Sequence, residues 1–138
     1  MSNKIPKRTA RPGVDEYGRT KLHYAAMKED GSVVLDLIRD HLDVNQKDDD
    51  GRTPLHFAAQ ERNASVTQLL LDNKADPNVT DAHGNSPLWT AIMNARGDFT
   101  IIKLLLAAGA NPRHKNNHGR SPHDMAMTMK NGLEIVFS

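Results

Sequence analysis

Two stretches decide the reading of this chain: Thr53-Pro54-Leu55-His56-Phe57-Ala58-Ala59, and after a polar break Leu69-Leu70-Leu71-Asp72-Asn73-Lys74-Ala75-Asp76-Pro77-Asn78. Thr53 is a residue whose side chain accepts hydrogen bonds from the free amides of a helix start. Pro54 follows at the first helical position, where its missing N–H costs nothing. Leu55, Ala58 and Ala59 then belong to a short Ala-rich helix. A second helix carries an apolar stripe at Val66, Leu69, Leu70 and Leu71, and Asp76-Pro77-Asn78 reads as a turn.

The same text recurs on either side. Gly18, Gly51 and Gly84 are spaced by 33 residues, and Gly119 follows after 35. Asp15-Glu-Tyr-Gly-Arg-Thr-Lys-Leu-His23 matches Asp48-Asp-Asp-Gly-Arg-Thr-Pro-Leu-His56. At an offset of 33, the first two units share 13 residues between Asp15/Asp48 and Asn45/Asn78. The third unit reads Asp81-Ala-His-Gly-Asn-Ser-Pro-Leu-Trp89, and the fourth Asn116-Asn-His-Gly-Arg-Ser-Pro-His-Asp124. Helices should begin near Thr20, Thr53, Ser86 and Ser121. The second helix of the third unit (Ile101, Ile102, Leu104, Leu105, Leu106) should end near Gly109, a left-handed cap position held by His41 and Lys74 in the earlier units. Val66, Leu69, Leu70, Leu104 and Leu105 are the expected core. A helix pair this short cannot bury its own apolar face, so neighbouring pairs must stack into one continuous core.

Helix–helix–turn at this period resembles the ankyrin repeat, and the two quoted stretches are similar to that family's signature almost residue for residue. The resemblance runs from residue 15 to about 130. It implies an all-α solenoid of ankyrin repeats, helix–turn–helix units joined by β-hairpin loops. The expected units are 15–47, 48–80 and 81–115, with a C-terminal cap at 116–138 and a basic, disordered leader at 1–14. Four departures stand out. Lys21 replaces the helix-start proline in the first unit, and Trp89 replaces the motif histidine in the third. A two-residue insertion falls around Arg96-Gly97-Asp98. The last unit has His123 and Asp124 at the Leu and His positions, Met125, Met127 and Met129 in place of alanines, and Leu133, Ile135, Val136 and Phe137 to cover the end of the stack.

Composition narrows the function. The chain has 138 residues, no cysteine and six aromatic residues. Disulfides, thiolate nucleophiles and Cys-ligated zinc are therefore excluded. No apolar run approaches the roughly 20 residues of a membrane helix, and Met1 to Gly13 lacks the roughly 7–15-residue apolar stretch of a signal peptide. A cytoplasmic protein is the expectation. The net charge is only +1, but it is unevenly spread: residues 1–14 carry +4, from Lys4, Lys7, Arg8 and Arg11, residues 15–47 sum to −2 and residues 48–80 to −3. The basic leader is short and lacks interleaved aromatics, so a solvated leader is favoured over direct nucleic-acid binding.

The motifs that suggest chemistry fail on register. His23 and His56 occupy the repeat's own histidine position, where they support loops within and between units. His114, His118 and His123 straddle a turn and a helix start rather than one helix face. Asp48-Asp49-Asp50-Gly51 is similar to a calcium loop, but aligning Gly51 puts Gln46 at the first ligand position and Phe57 where a bidentate glutamate is required. There is no Gly-rich phosphate loop and no Ser/His/Asp set outside the repeat positions. Asn63-Ala64-Ser65 and Asn78-Val79-Thr80 are glycosylation triplets that a cytosolic chain would not use. No cofactor, metal or catalytic residue is expected, and the chain reads as non-enzymatic.

The resemblance implies a concave surface made of loop tips and inner-helix ends. Position by position these are Glu16, Tyr17 and Arg19; Asp49, Asp50 and Arg52; Ala82, His83 and Asn85; Asn117, His118 and Arg120; and Met27, Lys28, Gln60, Glu61, Met93 and Asn94. These positions diverge while the framework repeats. Their first half is acidic, which suits a basic protein partner. Tyr17, Arg19 and Arg52 are the expected anchors. The expected role is a protein-binding inhibitor or adaptor that is monomeric when free, for example an immunity protein that neutralises a toxin. The alternative is a regulator that masks a basic segment of a nucleic-acid-binding protein.

Overall fold

The computed structural model describes residues 11–28, 30–129 and 131–137. It contains eight helices among those residues: α1 Lys21–Met27, α2 Gly31–Arg39, α3 Pro54–Gln60, α4 Ala64–Asp72, α5 Pro87–Met93, α6 Thr100–Ala107, α7 Pro122–Met129 and α8 Leu133–Val136. They form two layers. In the inner layer α1 packs on α3, α3 on α5 and α5 on α7; in the outer layer α2 packs on α4 and α4 on α6. Each inner helix also packs on the outer helix that follows it. The result is an all-α solenoid.

The helix starts follow the capping logic of the sequence. Pro54, Pro87 and Pro122 are each the first helical residue. The Thr20 side chain accepts from the amides of Leu22 and His23, and Ser121 Oγ accepts from Asp124 N–H at 3.0 Å. Ser86 makes no such bond. At the outer-helix ends the left-handed cap occurs in all three full units: Gly109 has φ +95°, Lys74 +72° and His41 +68°. The link between α5 and α6 spans residues 94–99, against 61–63 between α3 and α4, so the insertion is absorbed in this turn.

The projecting loops are tighter than the expected β-hairpins. Each is closed by two backbone bonds: the first residue's N–H donates to the fifth residue's C=O (Asp15 to Arg19, Asp48 to Arg52, Asp81 to Asn85, Asn116 to Arg120) at 2.8–2.9 Å, and the glycine N–H donates back to the first residue's C=O at 2.9–3.0 Å. Five residues closed in this way leave no room for a ladder. Among the described residues the one β-bridge is isolated, between Arg11 and Val14. The first residue of each loop fixes it from inside: Asp48 Oδ1 accepts from the amides of Asp50 and Arg52 at 3.0 and 2.8 Å, and Asp15, Asp81 and Asn116 do the same in their own loops.

Consecutive loops are stitched together. Asp49 N–H donates to Tyr17 C=O, Ala82 N–H to Asp50 C=O and Asn117 N–H to His83 C=O, at 2.8–3.0 Å. Loops this close need glycine for space as well as backbone angle. Gly51 has φ +76°, and a Cβ there would lie 3.0 Å from Ala82 N.

The core is continuous along the stack and includes Leu22, Val34, Leu55, Phe57, Val66, Leu70, Leu88, Ile92, Ile102, Leu105 and Leu133. Of the five expected core residues, Val66, Leu70 and Leu105 are fully buried, whereas Leu69 and Leu104 are only half-buried. The reason is helical phase: positions i and i+4 (Val66, Leu70) point into the core, and the residue before Leu70 lies on the flank. The last unit closes the stack with Leu133, which is fully buried, and with Val136 and Phe137, which pack against the core. The side chain of Ile135 lies outside the described residues, as do residues 1–10 of the leader.

Candidate functional site

The framework histidines lock each loop to the next unit. Thr53 N–H donates to His56 Nδ1 at 3.0 Å. Nδ1 is thus an acceptor, the proton sits on Nε2, and Nε2–H donates to Asn85 C=O across 2.9 Å. His23 repeats the arrangement with Thr20 N–H and Arg52 C=O. Burial, which the bond to Asn85 only partly opposes, lowers the pKa of His56 from 6.5 to about 4. Burial lowers that of His23 as well. Trp89 is half-buried at the equivalent position. There the third and fourth units are joined instead by Asn116 Nδ2–H to Asn85 Oδ1 and Asn117 Nδ2–H to Ala82 C=O, both at 2.9 Å. In the last unit Asp124 takes the histidine's part and accepts from Ser121 N–H at 3.0 Å.

The variable positions are distinguishable from this framework by their exposure. Glu16, Tyr17, Lys28, Asp49, Asp50, Glu61, Ala82, His83, Met93, Asn117, His118 and Arg120 are exposed, and Tyr17 and Met93 are the most exposed large apolar side chains at 53% and 51%. Arg19, Met27, Arg52, Gln60, Asn85 and Asn94 are half-buried.

The structure brings one subset together and leaves the rest apart. The Arg19 guanidinium lies 5.1 Å from the Tyr17 ring, 5.9 Å from Tyr24 and 5.1 Å from Phe57, and 3.5 Å from buried Asp48. The Arg52 guanidinium lies 4.4 Å from the Phe57 ring centroid and donates to Gln60 Oε1 at 2.7 Å. Burial lowers the Arg52 pKa against the attraction of Asp48 and Asp81, yet a guanidinium remains a cation at neutral pH. Both arginines therefore lie against an aromatic platform inside the chain. Asn85 and Asn94 are likewise engaged, with Asn116 and with Thr90 C=O. His118 and Arg120 stand at the far end of the row, in the last loop.

Two participants lay beyond the sequence reading. One is the platform itself, Tyr24 and Phe57, aromatic residues at the same position of the first two units; the third has Thr90 there. That alignment was the available signal. The other is Arg11. Its Nη1 and Nη2 donate to Asp49 Oδ1 and Oδ2, each at 2.9 Å, and this bond raises the pKa of the guanidinium. A contact across 38 residues leaves no local trace in the sequence.

Among the described residues no three of His, Asp and Glu converge as metal ligands, and no helix is long and apolar enough to cross a membrane. His114, His118 and His123 stay apart.

A stack of helix pairs with stitched, projecting loops defines the class: a repeat solenoid that presents a row of variable side chains. The family model for ankyrin repeats, in three copies, matches residues 22–116, and the chain belongs to that family. No curated protein matches it in sequence. Ankyrin repeats are protein–protein interaction modules, and the family is a non-catalytic scaffold that binds protein partners.

Proposed function

We propose that this chain is a non-enzymatic inhibitor or adaptor that captures a protein partner with a basic surface on its row of loop tips and inner-helix ends. An immunity protein that neutralises a toxin is one form of that role. The protein acts in the cytoplasm and is monomeric when free. The observation that carries the reading is the placement of Glu16, Asp49, Asp50 and Glu61. All four are exposed, and the loop bonds they might have supplied are made by Asp15 and Asp48. None of these four carboxylates closes a loop, and like charges on neighbouring tips repel slightly. They suit the steering of a cationic partner toward a site anchored by Tyr17 and Met93.

The test is capture from native lysate with wild type and with the Asp49→Ser/Asp50→Ser double variant, followed by association kinetics of the captured partner across a salt series. The variant should keep its melting temperature, associate more slowly and show a flatter salt dependence, with less change in dissociation. Identical on-rates and salt slopes would remove the acidic tips from recognition. One observation favours a second reading, in which the chain masks a basic segment of a nucleic-acid-binding protein: the Arg11–Asp49 pair places an arginine of a basic run on these tips.

A further inference from the structure

The Asp49 carboxylate is held in an unusual place. Its backbone N–H is fixed by Tyr17 C=O at 2.9 Å. A Cβ on Gly18 would lie 2.5 Å from Asp49 Oδ1 and 2.9 Å from its Cγ. The carboxylate thus rests on the bare backbone of the preceding loop, where any side chain would push it away. In that position its two oxygens receive both terminal nitrogens of Arg11, the paired geometry that carboxylates and guanidinium groups prefer. The place recurs once without the charge: a Cβ on Gly84 would lie 2.7 Å from Asn117 Oδ1, and Asn117 turns its amide N–H to Ala82 C=O. Ala82 has no polar side chain, and Glu16 precedes the first stitched junction, so Asp49 is the one carboxylate among these positions that rests on a preceding loop. Residues 11–14 bring the guanidinium back by a turn, with Val14 N–H donating to Arg11 C=O at 3.3 Å.

We propose that Asp49 over Gly18 is an arginine seat, filled in cis by Arg11, so that the basic leader competes with an arginine-bearing segment of the partner for the acidic tips. The inference rests on the functional reading above and adds a regulatory element to it. An exposed ion pair is weak, so the leader lowers the apparent affinity by the fraction of time it occupies the seat and does not close the surface. A partner that brings several basic residues displaces it. A change that removes the Arg11 charge removes that competitor.

A fluorescent peptide with the sequence of residues 4–14 supplies the arginine in trans. It is titrated at low salt against full-length wild type, Arg11→Ala, Asp49→Asn and the double variant, with amide NMR shifts of residues 49–51 as the second readout. Arg11→Ala should bind the peptide about two- to five-fold tighter than wild type, the range an exposed ion pair supports. Asp49→Asn should weaken binding and abolish the gain from Arg11→Ala. A peptide with lysine in place of its last arginine should bind less well, because it offers no fork. Equal affinity for wild type and Arg11→Ala, a gain that persists in the Asp49→Asn background, or no peptide-induced shift at residues 49–51 overturns the proposal. Failure here leaves partner capture through Asp49 and Asp50 standing. Loss of that capture, with the peptide result intact, sinks the functional reading instead.

Discussion

Acid should loosen this protein through His56 before it reaches the hydrogen-bonded carboxylates of Asp30, Asp98 and Asp124. The native imidazole is fixed as the Nε2–H tautomer, with Nδ1 facing a donor, Thr53 N–H, at 3.0 Å. Protonation would place a second N–H against that amide inside the core and would charge a fully buried ring. The native pKa accordingly falls from 6.5 to about 4. An unfolded His56 takes up its proton as pH drops through 6.5, while the native one resists until about 4, so the unfolded chain binds more protons between those values. The stability His56 confers is therefore complete above pH 6.5 and drains as pH falls toward 4. At about 1.4 kcal/mol per pH unit, lowering the pH from 7 to 5 should cost ~2 kcal/mol through this residue. His23 is lowered by burial too and adds to the loss in the same direction. The carboxylates of Asp30, Asp98 and Asp124 are held below their ordinary 3.8 by hydrogen bonds from Ser32, Thr100 and Ser121 respectively. Their contribution is present above 3.8 and disappears only at lower pH, which separates the two effects.

The assay is urea unfolding at half-unit pH intervals from 7.5 to 5, on wild type and His56→Asn, with imidazole NMR titration of the native state. The variant starts less stable, since it leaves Asn85 C=O and the Thr53 amide poorly paired, so the slope against pH is the informative quantity. Its slope should be shallower by the share assigned to His56. A native His56 that titrates near 6.5, or a variant with the full wild-type slope, would refute the reasoning.

Two further perturbations test the packing and the caps. Leu70 is fully buried in α4, and Leu70→Ala should cost ~2–5 kcal/mol in chemical unfolding; a loss under 1 kcal/mol would show that the outer layer collapses around the gap. Lys74 holds the left-handed cap after α4 at φ +72°, where a side chain is strained and glycine is not, so Lys74→Gly should raise stability by ~0.5–1 kcal/mol; a lower melting temperature would contradict the cap geometry.

How far the sequence could be read depended on how local each cause was. Thr20, Pro54, Pro87 and Pro122 mark their helices because capping and the missing N–H act within one turn. The α5–α6 insertion was legible for the same reason, and so was the framework role of Asp48. The phase of Leu69 and Leu104 was not, because a run of leucines does not say which of them faces the neighbouring unit. The site was legible as a set of positions and much less so as a set of contacts. Arg19 and Arg52 were expected to meet a partner, yet they lie against Phe57, a residue contributed by the second inner helix. The Arg11–Asp49 pair spans 38 residues and joins segments that no periodicity relates.

The junctions between units are not equivalent, and this bears on where binding and stability meet. The first two are each held by a buried histidine that reaches the next loop's backbone, at Arg52 and Asn85. The third lacks that bond, since Trp89 stands in the histidine's place, and relies on asparagine amides on the loop side. In a stack whose stability is a sum of units and nearest-neighbour junctions, the run of three loops linked by His23 and His56 is the stiffer part. That part carries Glu16, Asp49, Asp50 and Glu61, together with Tyr17 and the arginines that lie against Phe57. A surface that is already rigid loses less freedom when it binds, and the same buried histidines that supply the rigidity make it sensitive to acid. Protonating His23 or His56 would loosen the loops that hold the acidic tips in register, so recognition by those tips should weaken over the same pH range in which the fold does.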